Sequence, residues 1–288
     1  MTIASHPCPE QVVQLGSDGY LVAIATTAVP GQTSIGRAAR YIIVNAGVLH
    51  RVGPHRLHVD LARQLSASGF SGVRVDLSGI GDSRGVPSTM TFWESAVTDL
   101  RAVIDDLSPD SACFVIGLCS GADNALAAAI ADPRIKGLVL LDPPAYATRR
   151  SKLRKLQRRL REQGGPFGAL RWVARRILRS PRGSPGSRAA AADPSDSANS
   201  GGRITPRRDE WGQQLQQLCD RGVRILCIYS GAYDERYNHA GQIWEWFPQL
   251  KGRLEVWYEP DSNHVFTSAS IRRKLVSGID AWCVAAFG

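Results

Sequence analysis

Gly117-Leu118-Cys119-Ser120-Gly121 joins the apolar run Cys113–Leu118 directly to an Ala-rich helical stretch at about 121–131. There is no loop between them, so the chain must turn from strand to helix within five residues. A turn that tight strains the backbone of its central residue, and the residues two positions away must be very small. Gly117 and Gly121 meet that requirement. The turn lifts its central side chain above a sheet and sets it at a helix N-terminus, where the positive end of the dipole favours a thiolate. Cys119 is therefore the candidate nucleophile, against the plainer reading of a structural thiol in a tight turn. Ser120 is the rival hydroxyl, but its side chain is expected to point elsewhere.

The turn sits within a repeating pattern. Short apolar runs at Tyr41–Val44, Val73–Leu77, Cys113–Leu118 and Gly137–Leu141 alternate with helix-like segments near 55–68, 91–107 and 121–131. Such alternation predicts an α/β fold, with a mostly parallel sheet covered by helices on both faces. Gln11–Leu15 and Tyr20–Thr26, separated by Gly16-Ser17-Asp18-Gly19, predict an N-terminal hairpin. The rhythm resumes with a helix near 209–220, a strand at Val223–Tyr229, a helix near 239–247, a strand at Leu254–Tyr258 and a last helix near 268–286. Residues 1–145 and 209–288 thus form one α/β core, interrupted by an insertion at 146–208.

That insertion explains the charge. The chain holds 35 Lys and Arg against 26 Asp and Glu, a formal +9. Residues 149–208 carry 17 of the bases and only Glu162, Asp193 and Asp196 as acids, a net +14, which leaves −5 on the rest. Leu153, Leu156 and Leu160 share one face of a predicted basic helix, and a second helix is predicted near Phe167–Leu178. From Ser180 to Gly202, 18 of 23 residues are Gly, Ser, Pro or Ala, which predicts a flexible stretch. With only Phe167 and Trp172 as aromatics the insertion is a poor stacking platform, so nucleic acid is not expected. An acidic carrier protein, anionic CoA or an anionic surface suits its charge better, with a membrane surface the less favoured of these; the alternative is a solvated basic face.

A thiol nucleophile needs a base and an acid that orients the base. His264, in Asp261-Ser262-Asn263-His264, follows the strand Leu254–Tyr258, where active sites of open parallel sheets collect. Two carboxylates compete for the third place. Asp234 follows the strand Val223–Tyr229 and is preferred; Asp142, after Gly137–Leu141, is the competitor and a candidate for the substrate pocket. His50 and Leu118 are further pocket candidates. An oxyanion hole would use the backbone N–H of Ser120 and one from Asn45-Ala46-Gly47-Val48, with Gly47 or Val48 as the second donor. The six cysteines are scattered without metal-ligand spacing, so neither a metal nor a redox cofactor is expected. No secretory signal and no stretch of ~20 apolar residues is visible, which makes the cytoplasm the default.

Asn45–Arg56, the turn Asp76-Leu77-Ser78-Gly79-Ile80-Gly81-Asp82-Ser83, the Gly117–Gly121 turn and Asn263-His264-Val265-Phe266 together resemble the α/β-hydrolase superfamily. The likeness is to its serine-aminopeptidase-like and exosortase-associated groups, and it covers about residues 40–145 and 209–288. It implies a Cys119, Asp234, His264 chain order, a structural role for Gly81-Asp82-Ser83, and a lid formed by the insertion. Most members carry Ser where this chain has Cys119; dienelactone hydrolases and the shuttles that move thioester-bound aminoacyl groups between carrier proteins also use Cys. Attack by Cys119 on an activated acyl group would give an acyl thioester. That intermediate is nearly thermoneutral with a thioester donor and can pass its acyl group to an amine, alcohol, thiol or water. The expectation is acyl transfer or hydrolysis of an activated (thio)ester. A simple esterase, lactonase or thioesterase and a catalytically decayed binding protein are the alternatives.

Overall fold

A computed structural model describes residues 9–29, 39–85, 89–107, 111–162, 203, 205–233 and 236–288, with only the backbone of 159–162. Eight strands form one sheet: β1 (Glu10–Leu15), β2 (Leu21–Thr26), β3 (Arg40–Ile43), β4 (Ser71–Val75), β5 (Cys113–Leu118), β6 (Ile135–Leu141), β7 (Arg224–Ser230) and β8 (Glu255–Glu259). Their spatial order is β1-β2-β4-β3-β5-β6-β7-β8. The hairpin β1–β2 is antiparallel and joins β4 antiparallel, and every pairing from β4 to β8 is parallel. The mostly parallel sheet expected from the sequence is therefore present.

Main helices are α1 (Leu57–Ala67), α2 (Phe92–Leu107), α3 (Ser120–Ala131), α4 (Arg149–Glu162), α5 (Arg208–Asp220), α6 (Gln242–Trp246) and α7 (Ala269–Phe287). All six residues of β5 are buried, and their alternation sorts them between two cores. Phe114, Ile116 and Leu118 pack with Leu57, Leu61 and Leu65 of α1 and with Leu275 and Ile279 of α7. Cys113 and Val115 face the other way, with Leu100 and Val103 of α2, Ala125 of α3 and Leu215 and Leu218 of α5. Burial of both faces is why the central strands read as unbroken apolar runs. Where the sequence predicts a helix over 239–247, only the short α6 forms.

Strand β3 lies between β4 and β5, so the chain leaves it first to one side and then returns to the other. A crevice opens at such a reversal, beyond the C-terminal ends of the strands. It brings the loop after β3 beside the turn after β5.

The helix predicted through Leu153 and Leu156 is present as α4. Its first turn is fastened: Thr148 and Ser151 exchange hydrogen bonds, Asn238 Nδ2 donates to the Ser151 carbonyl at 2.9 Å, and Gln242 Nε2 donates to the Tyr146 carbonyl at 2.9 Å. Farther along, Leu153 and Leu156 are 53% and 54% exposed, while the Leu160 side chain lies outside the described residues. The helix predicted near Phe167–Leu178 and the stretch 180–202 also lie outside them. No helix among the described residues is long and apolar enough to cross a membrane.

Candidate active site

Cys119 has φ 58° and ψ −121°, in the left-handed region that a side chain adopts only at a cost of about 1–3 kcal/mol. The sheet holds it there. Its N–H continues the parallel ladder past the end of β5 by donating to the Leu141 carbonyl at 2.9 Å, and its own carbonyl starts α3 by accepting from Ala122. Both glycines are enforced by contact. A Cβ on Gly117 would sit 2.1 Å from the Gly121 carbonyl oxygen, and one on Gly121 would sit 2.3 Å from that of Asn45. Gly117→Ala is therefore expected to cost about 2–4 kcal/mol and to lower the melting temperature by several degrees. A melt unchanged from wild type would contradict this turn geometry.

Asp142 repeats the device one strand over. It is fully buried at φ 48°, and its N–H extends the β6–β7 ladder by donating to the Ile228 carbonyl at 2.7 Å. Its carboxylate accepts from Ser230 N–H and Ser230 Oγ, each at 2.7 Å, and lies 2.7 Å from His264 Nδ1. The carboxylate on His264 is thus that of Asp142. Asp234, preferred for this place from the sequence, lies outside the described residues.

His264 also hydrogen-bonds the Cys119 sulfur. Burial works against a charge on either group, yet in both the neighbours prevail. The His264 bond, the Arg203 and His264 charges and the Ser120 N–H hold the Cys119 thiol below its ordinary value. Bonds to Asp142 and Cys119, with their charges, push His264 up to about 9. The two shifts act together, drawing the proton from the sulfur toward the imidazole.

Ser120 points its backbone N–H at the sulfur, while its Oγ is buried without a hydrogen-bond partner. Gly47, at φ +59°, and Val48 are the central residues of a turn closed by Leu49 N–H to the Ala46 carbonyl. A Cβ on Gly47 would lie 3.7 Å from Ser120 Oγ, so this turn and the start of α3 face each other. The Val48 side chain is 85% exposed. Buried Asn45 anchors the turn: Nδ2 donates to the Leu49 carbonyl and to Asp76 Oδ1, and Oδ1 accepts from Leu77 N–H.

The remaining pocket candidates are placed otherwise. Leu118 is buried in the core, and Asp142 lies beneath His264 with no exposed surface. His50 turns its Nε2 toward Asp82 at 3.4 Å and Asp76 at 3.6 Å. These three form the one group among the described residues whose spacing could hold a metal ion. The Arg51 guanidinium already pairs with both carboxylates, reaching Asp82 at 2.7 Å and Asp76 more closely still. Gly81 completes the turn, since a Cβ there would meet Asp76 Oδ2 at 2.2 Å. The Asp76–Ser83 turn is a brace beneath the loop after β3, as the family resemblance implies.

Two residues at the site have no place in the sequence reading. Arg203 Nε and Nη2 donate to Asp123 at 2.5 and 2.7 Å, and its Nη1 donates to the Asp142 carbonyl at 3.1 Å. Asp123 carries a weak sequence signal, as a charge among the Ala and Leu of α3. Arg203 carries none, because it stands at the edge of the Gly/Ser/Ala-rich stretch.

Comparison with known proteins agrees with this architecture. An esterase of Pyrococcus furiosus is 16% identical with a TM-score of 0.59, over 100% of this chain and 97% of the other. A thermophilic esterase of Thermogutta terrifontis is 16% identical with a TM-score of 0.55, over 97% and 100%. A dienelactone hydrolase of Anabaena variabilis is 13% identical with a TM-score of 0.54, over 98% and 100%. At such identities these likenesses concern the fold. No curated protein matches the sequence. Residues 45–196, just over half of the chain, match the family described as serine aminopeptidase, S33. The chain belongs to that family of α/β hydrolases, and is an enzyme of the hydrolase type by that membership.

Proposed function

We propose that the protein transfers or hydrolyses activated acyl groups, thioesters above all, through an acyl-Cys119 intermediate. The observation that carries this reading is the hydrogen-bonded series Cys119–His264–Asp142 on two strained residues at adjacent strand ends. The Cys119 thiolate adds to the acyl carbon, forming an S–C bond while the carbonyl electron pair moves onto oxygen. The Ser120 N–H and the turn at Gly47 and Val48 receive that oxyanion, each donor supplying on the order of 3 kcal/mol. Collapse expels the leaving group, which takes its proton from His264 Nε2 while Nδ1 stays on Asp142. An acceptor then gives its proton to His264, attacks the acyl carbon and releases the sulfur.

Cysteine matters in the energetics. A thioester donor exchanged for a thioester intermediate changes free energy little, so the acyl group stays available to acceptors other than water. The exposed bases of α4, Arg149, Arg150, Lys152 and Arg154, support a donor carried on an anionic group, either an acidic carrier protein or CoA.

Product analysis on a short acyl thioester, with and without an added amine or thiol, tests the reading. The expected result is an acylated acceptor formed in competition with free acid, with total turnover depending on Cys119. Turnover of ordinary esters and amides without a covalent acyl stage would contradict it.

A further inference from the structure

Arg203 reaches the site from the stretch between α4 and α5, and its side chain is only 12% exposed. Its guanidinium is held on two edges: Asp123 takes Nε and Nη2 in a fork, and the carbonyl of strained Asp142 takes Nη1. That same Nη1 lies 3.9 Å from Cys119 Sγ, within reach of a hydrogen bond to sulfur. The charged groups that act on the sulfur are His264, from the loop after β8, and Arg203. The bonds to Asp123 and the Asp142 carbonyl hold the guanidinium with Nη1 beside the nucleophile.

We propose that Arg203 is a positioning residue for the nucleophile: clamped by Asp123, its guanidinium holds Cys119 as a thiolate beside the strained carbonyl of Asp142. The arrangement is specific to sulfur. A serine hydroxyl is neutral at rest and gains little from a fixed positive charge, whereas a thiolate removed from bulk water gains much. Asp123 accounts for the geometry. Burial raises its carboxyl against the influence of Arg203, so the carboxylate depends on the guanidinium to be charged where it is. The inference rests on reading Cys119 as the nucleophile, but its test reads the thiol itself.

The experiment is alkylation of the full-length chain by iodoacetamide between pH 5 and 10, with the rate at Cys119 followed by peptide mass spectrometry. Wild type should react with a midpoint below that of a free thiol. Arg203→Gln should move the midpoint up by about one pH unit or more, lowering the rate at pH 6 about tenfold or more. Arg203→Lys, which keeps the positive charge, should restore most of the shift. If Arg203→Gln alone fails to fold, the double variant Arg203→Gln/Asp123→Asn removes the buried pair together and should still raise it. An unmoved profile in the folded glutamine variants would overturn the proposal. So would a shift in Arg203→Lys equal to that in Arg203→Gln, because the lysine keeps the charge. Failure of the nucleophile reading looks different: turnover would survive the loss of Cys119 whatever the alkylation profile did.

Discussion

Asp142→Asn is expected to lower turnover by about four orders of magnitude while the chain keeps its fold. The carboxylate accepts from Ser230 twice and binds His264 Nδ1 at 2.7 Å from a site with no exposure to water. It fixes the ring through Nδ1, and it would stabilise the imidazolium that forms when His264 takes a proton. An amide has the same shape and no charge, and its NH₂ can hold the ring in the wrong tautomer. Loss of the carboxylate also removes a main influence that raises His264, so the imidazole should titrate lower than in wild type. The measurement is kcat across pH 6–9 on a small thioester, with Asp234→Asn alongside. Full activity in Asp142→Asn, or an equal loss in Asp234→Asn alone, would return the orienting role to Asp234.

The second large effect belongs to the sulfur. Cys119→Ala should abolish covalent acylation and reduce turnover by on the order of 10⁴-fold or more, leaving only binding and the oxyanion donors. Cys119→Ser is the more instructive variant. It preserves the left-handed turn and the contact with His264, but a hydroxyl holds its proton far more tightly than a thiol does. The neighbours that hold the thiol below its ordinary value, His264 and Arg203, would then face a neutral group. The serine variant should bind substrate normally and turn over far more slowly than wild type. A serine variant as active as the cysteine enzyme would show that the electrostatics around residue 119 are unrelated to its chemistry.

Much of this was legible in the residues, for identifiable reasons. The positions of the strands and the turn at Cys119 follow from local rules: two-faced burial makes apolar runs, and a five-residue reversal demands Gly117 and Gly121. His264 was legible because it stands just past a strand. The choice of acid was harder, because Asp142 and Asp234 both follow strands that end beside the site. Asp142 takes φ 48° to extend a ladder, and its carboxylate lies 2.7 Å from His264 Nδ1. A sequence does not display such a bend at a non-glycine residue. Leu118 reads as a pocket residue next to the nucleophile, yet strand alternation turns it into the core between α1 and α7. Arg203 was illegible for a third reason. Its partners Asp123, Asp142 and Cys119 are 80, 61 and 84 residues away in the chain, and its own neighbours have no periodicity.

The most direct test is intact-protein and peptide mass spectrometry after brief exposure of the wild-type chain to a short acyl thioester. One acyl group should appear, map to Cys119, and leave on treatment with neutral hydroxylamine as a thioester does; it should be absent in Cys119→Ala. An acyl adduct that persists in Cys119→Ala, or that maps to Ser120, would contradict the assignment of Cys119 as the nucleophile.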